Sequence, residues 1–295
     1  MNRFRSIAMV FALAMMFAAC SGNRSTEGSG GGGSAEDLIA VLPDTSPSDP
    51  QNPNPDTPDS PPTTNDREYT TDVLLFNGIG ISTSDWQTTE QIIKSEGLSY
   101  RLVNSSQLNA MSLDQMTKFG LMVFPGGYGN QITNGLSSET RIRVRQAVRE
   151  RGVSFLGICA GAWVTVGPDP GAKSASYGFA IVTGSILKLF LPGGRQPTAD
   201  MVDVSFADGS KRNLVWWGGP YTPEWTGGVV ARYDTGQPAI SQTWAGKGFV
   251  IVSGPHPEAP QSWRNTAGYD SDGLDYAVAA DLIQAALKRQ PLPTF

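Results

Sequence analysis

Short apolar runs alternate with helical patterns over residues 71–158, and this alternation is the strongest constraint on the fold. The runs 72–76 and 120–124 are each followed by a glycine-containing loop, which indicates buried strands that end abruptly. Ser137 or Ser138 can cap a helix that precedes the next run. Because parallel strands need crossover helices, the pattern predicts a parallel sheet with helices on both faces. The predicted elements are strands 72–76, 98–103, 120–124 and 153–158 and helices 85–96 and 137–151.

The second half of the chain has a different pattern. Its strand-like runs are separated by Asp-Gly, Gly-Gly and Gly-Lys-Gly turns, with little helical pattern between them. Such turns typically join antiparallel strands, so we expect antiparallel additions to the sheet. A closing helix over 273–288 is predicted from Leu274, Val278 and Leu282, which recur every four residues. The predicted strands are 202–206, 213–217, 229–233, 238–244 and 248–252.

Residues 20–70 lack the composition of a folded domain. Residues 28–34 read GSGGGGS, and eight prolines follow between Pro43 and Pro62, interleaved with four aspartates. Such a segment cannot bury enough apolar surface to fold, so we predict a disordered Gly/Pro/Ser-rich tether. The folded domain is therefore predicted to occupy residues 71–295.

The first 19 residues have the pattern of a signal peptide. Arg3 and Arg5 precede 13 consecutive apolar residues, fewer than the about 20 that a membrane-spanning helix requires. The run ends at Cys20, in a context that resembles the cleavage site of bacterial lipoproteins, whose cysteine becomes the lipidated first residue. This resemblance implies a membrane anchor on Cys20 in the cell envelope, and Ser21 implies the outer membrane, facing the periplasm, in a Gram-negative source. An ordinary signal peptide with an incidental cysteine is the alternative.

Charge and rare residue types exclude several functions. The chain carries 22 Lys and Arg against 27 Asp and Glu, a net charge of −5, which argues against a nucleic-acid partner. Two cysteines and one histidine allow neither a multi-Cys/His zinc site nor a disulfide framework. Asp270, Asp272 and Asp275 are spaced like part of a calcium loop, but Leu274 stands where a ligand is needed. We therefore predict no metal and no cofactor, and any histidine chemistry must use His256.

Residues 157–161 read GICAG and join a predicted strand to a predicted helix. A nucleophile on a sharp strand-to-helix turn needs small neighbours, and the pattern G-x-Nuc-x-G supplies them, with Cys159 in the place of the nucleophile. A small buried cysteine at a strand end is the alternative, and the pattern alone does not decide between the two.

His256 lies in the sequence SGPHPE, directly after another apolar strand. Prolines on both sides make a rigid loop, and Glu258 can orient a protonated imidazole from two residues away. A cysteine at one strand end and a His-Glu pair at another are the elements of a base-assisted nucleophile. A structural turn histidine is the alternative.

Together these motifs resemble the Cys-His-Glu triad of the class I glutamine amidotransferase superfamily. More closely, the chain is similar to the N-terminal domain of eukaryotic-type biotin-protein ligases. The resemblance implies a flavodoxin-like, amidotransferase-like α/β sandwich with a central, mostly parallel sheet, helices on both faces and added antiparallel strands. Four segments carry the likeness in the family's order, namely 124–127, 157–162, 215–219 and 253–258.

The resemblance also implies roles for individual residues. Cys159 corresponds to the nucleophile, His256 to the general base and acid, and Glu258 to the residue that orients the imidazole. The backbone N–H groups of Gly127 and Ala160 would form the oxyanion hole.

The substrate side of the site would include Gly126 and Trp163. Trp163 stands where glutamine-hydrolysing members of the superfamily have Gln. No ligase catalytic domain is recognised in the chain, so biotin ligation is not predicted.

The sequence thus predicts a lipid-anchored, cysteine-dependent hydrolase acting on an amide or acyl bond of a small-molecule or peptide substrate. A non-catalytic ligand-binding or scaffold module on the same fold is the alternative, and Trp163 favours it. A redox sensor built on Cys159 is a third possibility, which would need an external thiol because Cys20 would be acylated.

Overall fold

The computed structural model describes residues 67–169 and 177–295, so the predicted signal peptide, Cys20 and most of the tether lie outside it. None of the helices in these two ranges combines the length and the apolar character that crossing a membrane requires. The helices are α1 Thr83–Ser95, α2 Ser105–Ala110, α3 Leu113–Met116, α4 Gly129–Asn134, α5 Ser138–Arg149, α6 Ala160–Thr165, α7 Gln261–Ala267 and α8 Tyr276–Lys288.

The strands of the described residues include four that are only two residues long. In chain order they are β1 Thr71–Phe76, β2 Tyr100–Val103, β3 Phe119–Phe124, β4 Ser154–Ile158, β5 Val166–Gly167, β6 Val182–Thr183, β7 Lys188–Leu189, β8 Asp200–Phe206, β9 Lys211–Trp216, β10 Pro220–Tyr221, β11 Val229–Tyr233, β12 Pro238–Ala245 and β13 Gly248–Ser253.

Nine strands form one sheet in the order β2-β1-β3-β4-β13-β12-β11-β8-β9. Every neighbouring pair from β2 to β13 is parallel, and every pair from β13 to β9 is antiparallel. The predicted fold class is therefore confirmed: four parallel strands from the strand-helix alternation are extended by strands from the second half of the chain, most of them antiparallel. Strand β13 departs from the prediction, because it pairs in parallel with β4 as well as antiparallel with β12.

Strand β1 is buried on both of its faces, as its continuous apolar sequence predicts. Val73 and Leu75 join the apolar cluster to which α1 and α8 contribute. Leu74 and Phe76 join the cluster formed with α2, α5 and α6. Because successive side chains of a strand point to opposite sides, these two clusters are the two faces of the sheet, each covered by helices.

A row of phenylalanine rings crosses three neighbouring strands beneath the site. Phe76 stacks on Phe124 with ring centroids 4.6 Å apart, and Phe124 stacks on Phe155 at 5.1 Å. Phe179 meets Phe124 edge-on at 5.0 Å. Aromatic pairs of this kind stabilise packing beyond the area they bury, so these rings help to hold β1, β3 and β4 together.

Some helices are absent from the sequence prediction. Helices α2 and α3 are short, but each begins with a capping box, Asn104 with Gln107 and Ser112 with Gln115. A capping residue with Gln three positions later is a sequence signal for a helix start, so both helices could have been predicted from it. Helices α4 and α7 have no side-chain cap hydrogen bond, and each is less than two turns long, so the sequence gives little signal for them.

The last helix begins at Tyr276, three residues later than predicted. Asp275 stands at its N-cap position without capping it, because its carboxylate accepts a hydrogen bond from Arg264 instead, at 2.9 Å. At the other end of the domain, Arg67 donates hydrogen bonds to the carbonyls of Thr117 and Phe119. The last residues before Thr71 therefore pack against the sheet.

The parallel arrangement of β1, β3, β4 and β13 brings the carboxyl ends of these strands to one edge of the sheet. The loops that leave this edge are 77–82, 125–128, the turn at Cys159 and 254–258. In open α/β sheets this is where ligands bind. The candidate site residues from distant parts of the sequence therefore converge at this edge.

Candidate active site

Cys159 occupies a strained turn between β4 and α6. Its backbone has φ 48° and ψ −101°, a conformation that a residue other than glycine adopts at a cost of about 1–3 kcal/mol. The flanking glycines are required by close packing. A Cβ on Gly161 would overlap the carbonyl oxygen of Phe124, and one on Gly157 would lie 2.6 Å from the carbonyl of Gly161. The turn has the geometry of a nucleophile elbow.

The thiol of Cys159 lies close to the neighbouring segments. The residue is only 4% exposed, and its Sγ lies 3.7 Å from the carbonyl oxygen of Trp217, to which the thiol can donate. Its backbone N–H donates to the carbonyl of Ser253 at 2.8 Å. Cys159 is therefore tied to the segment before β10 and to the end of β13, the strand that leads to His256.

His256 is fixed by long-range contacts. Its backbone N–H donates to the carbonyl of Val215 in β9 at 2.8 Å. Its imidazole is buried, 1% exposed, and the ring of Trp263 meets it edge-on at a centroid distance of 5.1 Å. A further hydrogen bond, from the hydroxyl of Ser253 to the carbonyl of Pro255 at 2.8 Å, holds the loop.

Two carboxylates meet the same nitrogen of this imidazole. Glu258 Oε1 lies 2.9 Å from Nδ1, and Asp85 Oδ1 lies 3.2 Å from it. Asp85 is absent from the sequence prediction, although it belongs to the first turn of a helix that follows a loop at the carboxyl edge. Its position 171 residues before His256 leaves no local pattern that would pair the two.

The three ionisable groups perturb one another strongly. Burial lowers the pKa of His256, but the negative charges of Cys159, Glu258 and Asp85 outweigh burial and raise it well above its usual value. Burial raises the pKa of Asp85, but the charge and the hydrogen bond of His256 lower it by more than burial raises it. The pKa of Asp85 therefore lies below its usual value. Burial raises the pKa of Glu258 to about 7. The imidazole is therefore held in its protonated form.

Cys159 and His256 lie within electrostatic reach of each other, because the Cys159 charge is the largest of those that raise the pKa of His256. They do not share a hydrogen bond: the thiol faces the Trp217 carbonyl, and His256 Nε2 is buried without a partner. The structure thus brings the predicted cysteine, histidine and glutamate to one edge of the sheet. Nε2 of His256 is left there without a hydrogen-bond partner.

The loop after β3 supplies one of the predicted oxyanion donors. Gly127 has φ 146°, and a Cβ there would overlap the carbonyl of Gly80. An antiparallel bridge pairs Gly127 with Ile81. The hydrogen bonds around this bridge are made by the residues on either side, Ser82 N–H to Gly126 O at 3.0 Å and Tyr128 N–H to Gly80 O at 2.7 Å. The N–H of Gly127 takes part in neither bond.

The other predicted donor, Ala160, is the first residue of α6. The N–H groups of a first helical turn have no partner within the helix.

Gly126, which precedes Gly127 in the loop after β3, packs directly on the acid-base group: a Cβ there would lie 2.5 Å from His256 Cε1 and 2.8 Å from Asp85 Oδ1. Only glycine leaves room for this contact.

Trp163 lies on α6, partly buried against the apolar cluster of that face. A Cβ on Gly129 would lie 3.4 Å from Trp163 Cβ and 2.5 Å from the hydroxyl of Tyr177, so both aromatic residues border the start of α4. Burial and the Cys159 charge raise the pKa of Tyr177. Trp163 and Tyr177 therefore meet at the start of α4, and Tyr177 lies within electrostatic reach of Cys159.

Asp85, His256 and Glu258 also hold one nitrogen and two oxygens within 4.8 Å of one another, a donor set suited to a small divalent cation. Both oxygens nearest the imidazole lie at hydrogen-bond distance from Nδ1. A hydrogen on that nitrogen can be donated to either oxygen, so we describe this group as a proton-binding network.

A second acidic group lies beyond α7. Asp270, Asp272 and Asp275 are close enough to share an ion, but Arg264 supplies the positive charge. Its guanidinium donates to Asp270, to Asp275 and, at 2.7 Å, to the carbonyl of Ala259. The ion pairs therefore fix the segment that directly follows Glu258.

No curated protein matches the chain in sequence. Solved structures with a similar fold are distant. A crystal structure of glutamine amidotransferase is 20% identical, covers 66% of this chain and 96% of its own, and has a TM-score of 0.45. A putative GMP synthase protein of Thermoplasma acidophilum is 14% identical. The match covers 75% of this chain and 98% of that protein, with a TM-score of 0.45.

Residues 71–167 match the protein family described as "Biotin-protein ligase, N terminal". The match includes the segments 124–127 and 157–162, whereas 215–219 and 253–258 lie beyond it. The chain therefore contains, over residues 71–167, a domain similar to the N-terminal domain of biotin-protein ligases.

Proposed function

We propose that the protein is a cysteine-dependent hydrolase of an amide or related acyl bond. The observation that carries this proposal is the positive-φ turn at Cys159, held between two glycines at the same sheet edge as a buried, protonated His256. Backbone strain of this kind persists only where the surrounding structure maintains it, and it is concentrated at active sites.

The chemistry would proceed in two stages. In the first, the thiolate of Cys159, whose proton is already held by the imidazole of His256, attacks the carbonyl carbon of the substrate through Sγ. The protonated imidazole then gives this proton to the leaving nitrogen, which yields an acyl-cysteine and a free amine. The N–H groups of Gly127 and Ala160 would stabilise the negative oxygen of the tetrahedral intermediate.

In the second stage, water takes the place of the amine. Nε2 of His256, neutral after the first stage, accepts a proton from water as its oxygen attacks the acyl carbon, and the C–S bond then breaks with sulfur leaving as the thiolate. The products are a carboxylic acid and the regenerated pair of Cys159 thiolate and protonated His256. Glu258 would hold the imidazole in orientation through Nδ1, at 2.9 Å.

A ligand-binding module without turnover is the second candidate. The Cys159 thiol faces the carbonyl of Trp217 rather than the imidazole, and Trp163 stands where glutamine-hydrolysing relatives have Gln. Both observations fit a site that holds an acyl compound without cleaving it.

Intact-mass measurement separates the two candidates. The full chain is incubated with glutamine, short peptide amides and peptide fragments of the cell wall. We expect one of these to leave its acyl group on Cys159, removable with hydroxylamine, and the Cys159→Ala chain to stay unmodified. A compound that raises the melting temperature of both chains equally, and that the wild type never converts, would contradict the hydrolase and support the binding module.

We further propose that the chain is a lipoprotein of the cell envelope, anchored through Cys20. The support is the sequence before Cys20, which lies outside the described residues. Growth with labelled palmitate should label the wild-type chain and not Cys20→Ser. Equal labelling of both chains would contradict the anchor.

A further inference from the structure

We infer that Asp85, rather than Glu258, is the ionised carboxylate beside His256, and that Glu258 is a neutral acid that shares its proton with Asp85. The inference rests on the proposed function and deepens it, because it makes Asp85 a positioning residue of the catalytic base. It also changes the role of Glu258 from charged partner to hydrogen-bond donor.

The first argument is a count of hydrogens at Nδ1. A ring nitrogen carries one hydrogen, yet two carboxyl oxygens lie within hydrogen-bond distance of it, at 2.9 and 3.2 Å. Asp85 and Glu258 are both at most 1% exposed. Two adjacent buried carboxylates cannot both stay ionised without strong repulsion, and one shared proton removes that repulsion.

The second argument is the unsatisfied oxygens. Asp85 Oδ2 and Glu258 Oε2 are buried, and neither has a hydrogen-bond partner. Gly126 closes the loop side of the group, since any side chain there would overlap His256 and Asp85. A full charge on both carboxyls would therefore leave buried negative oxygens without compensation, which is costly.

The two carboxyls differ in ways that decide which one keeps the proton. Asp85 lies in the first turn of the 13-residue helix α1, where the helix dipole favours a negative charge. Ser82 also lowers the pKa of Asp85. Glu258 lies in a loop, and the charge of Asp85 adds to burial in raising its pKa.

Two other titratable groups interact with this network. Cys159 acts on His256, and its negative charge raises the pKa of the imidazole. Tyr276, on α8, is affected by Glu258, whose charge adds to burial in raising the pKa of the tyrosine. Both are acids, so neither supplies the positive charge that would keep Glu258 ionised.

The experiment uses the fact that His256 is the only histidine of the chain. In tag-free protein labelled with ¹⁵N-histidine, NMR reports the protonation of this one imidazole. Asp85→Asn and Glu258→Gln are matched variants, because each replaces a carboxyl by an amide of the same shape. We expect Asp85→Asn to lower the pKa of His256 by at least about 1, since it removes the charged partner. We expect Glu258→Gln to leave His256 protonated at about pH 6, because Glu258 carries no charge there to lose.

An unchanged pKa of His256 in Asp85→Asn would overturn the inference. If Asp85→Asn does not fold, the wild type still decides it: with ¹³C-labelled carboxyl groups, Glu258 should titrate near neutral pH and Asp85 should stay ionised well below it. An ionised Glu258 at about pH 6 would overturn the inference. This readout needs no turnover, so it is separate from the hydrolase proposal, which fails if no acyl group ever forms on Cys159.

Discussion

The thiol and the imidazole of the site are held in place by different means. Cys159 is positioned by close backbone packing: Gly157 and Gly161 flank its strained turn, and a Cβ on either would clash with backbone atoms. The position of His256 is determined by distant residues, through Val215 for its backbone and Asp85 for its ring. Substitutions in the turn at Cys159 should therefore unfold the domain. Substitutions around His256 should impair the chemistry while the domain stays folded.

The largest expected effect is at the Cys159 turn. In Gly161→Ala the new Cβ would overlap the carbonyl of Phe124, which belongs to the backbone of β3 and cannot move aside. We expect a loss of more than about 4 kcal/mol in the free energy of unfolding, measured in urea. Gly184→Ala is the control, because its Cβ meets only Val166 at an ordinary 3.5 Å. Equal losses in the two variants would show that the turn is not held by this contact.

The next effect is on the pH dependence of stability. Glu258 has its pKa raised from 4.5 to about 7 in the folded state. Between these values the unfolded chain has released this proton and the folded chain still holds it, so stability falls as the pH rises from 4.5 to about 7. Glu258→Gln should reduce this fall by about 3 kcal/mol, measured by urea unfolding across the range.

His256 contributes in a different window. Its raised pKa gives stability that is fully present below 6.5, its usual value, and is lost as the pH rises through the folded-state value. Asp275, with a pKa of about 7, is present in both chains, so it does not affect the comparison between wild type and Glu258→Gln. An unchanged slope below about pH 6.5 in Glu258→Gln would contradict a protonated glutamic acid.

A smaller effect is expected from Gly126→Ala. Its Cβ would press on His256 Cε1 at 2.5 Å and on Asp85 Oδ1 at 2.8 Å, so the imidazole must shift while the backbone stays. We expect about a 10-fold slower alkylation of Cys159 with a stability loss of about 1–3 kcal/mol. Gly167→Ala, whose nearest contact is 3.4 Å away, is the control. If Gly126→Ala loses as much stability as Gly161→Ala, the expected difference between the surroundings of His256 and the turn at Cys159 is contradicted.

The smallest effect is expected at Trp263. Trp263→Phe keeps a ring edge against His256 but loses the hydrogen bond from Nε1 to the hydroxyl of Ser84, at 3.1 Å. The free energy of unfolding should fall by about 1 kcal/mol, with the alkylation rate of Cys159 nearly unchanged. A drop in that rate as large as in Gly126→Ala would mean that the indole hydrogen bond positions the imidazole.

The contrast between the loops also explains what the sequence could predict. The strand-helix alternation and the GICAG pattern are local signals, so the parallel half of the sheet and the turn at Cys159 follow from them. His256 and Glu258 are two residues apart and could be paired for the same reason. The sequence SDW around Asp85 contains no signal of its partner, because the contact depends on how α1 packs at the sheet edge.

Tertiary contacts also decide the role of the acidic residues that precede α8, which local spacing does not reveal. Spacing alone presents Asp270, Asp272 and Asp275 as an incomplete calcium loop, whereas the fold uses Asp270 and Asp275 to bind the guanidinium of Arg264. Arg264 lies on a short helix without a capping signal. Contacts between such segments are set by tertiary packing and are not encoded in local periodicity.

The dependence of Cys159 alkylation on His256 tests the central claim most directly. In a full chain carrying Cys20→Ser, Cys159 is the only thiol, and its rate of reaction with iodoacetamide near neutral pH can be compared between wild-type His256 and His256→Asn. A base-assisted nucleophile predicts that the native chain reacts faster than the urea-unfolded chain, and that His256→Asn lowers the rate about 100-fold. Equal rates with and without the imidazole, in chains that both fold, would contradict the account.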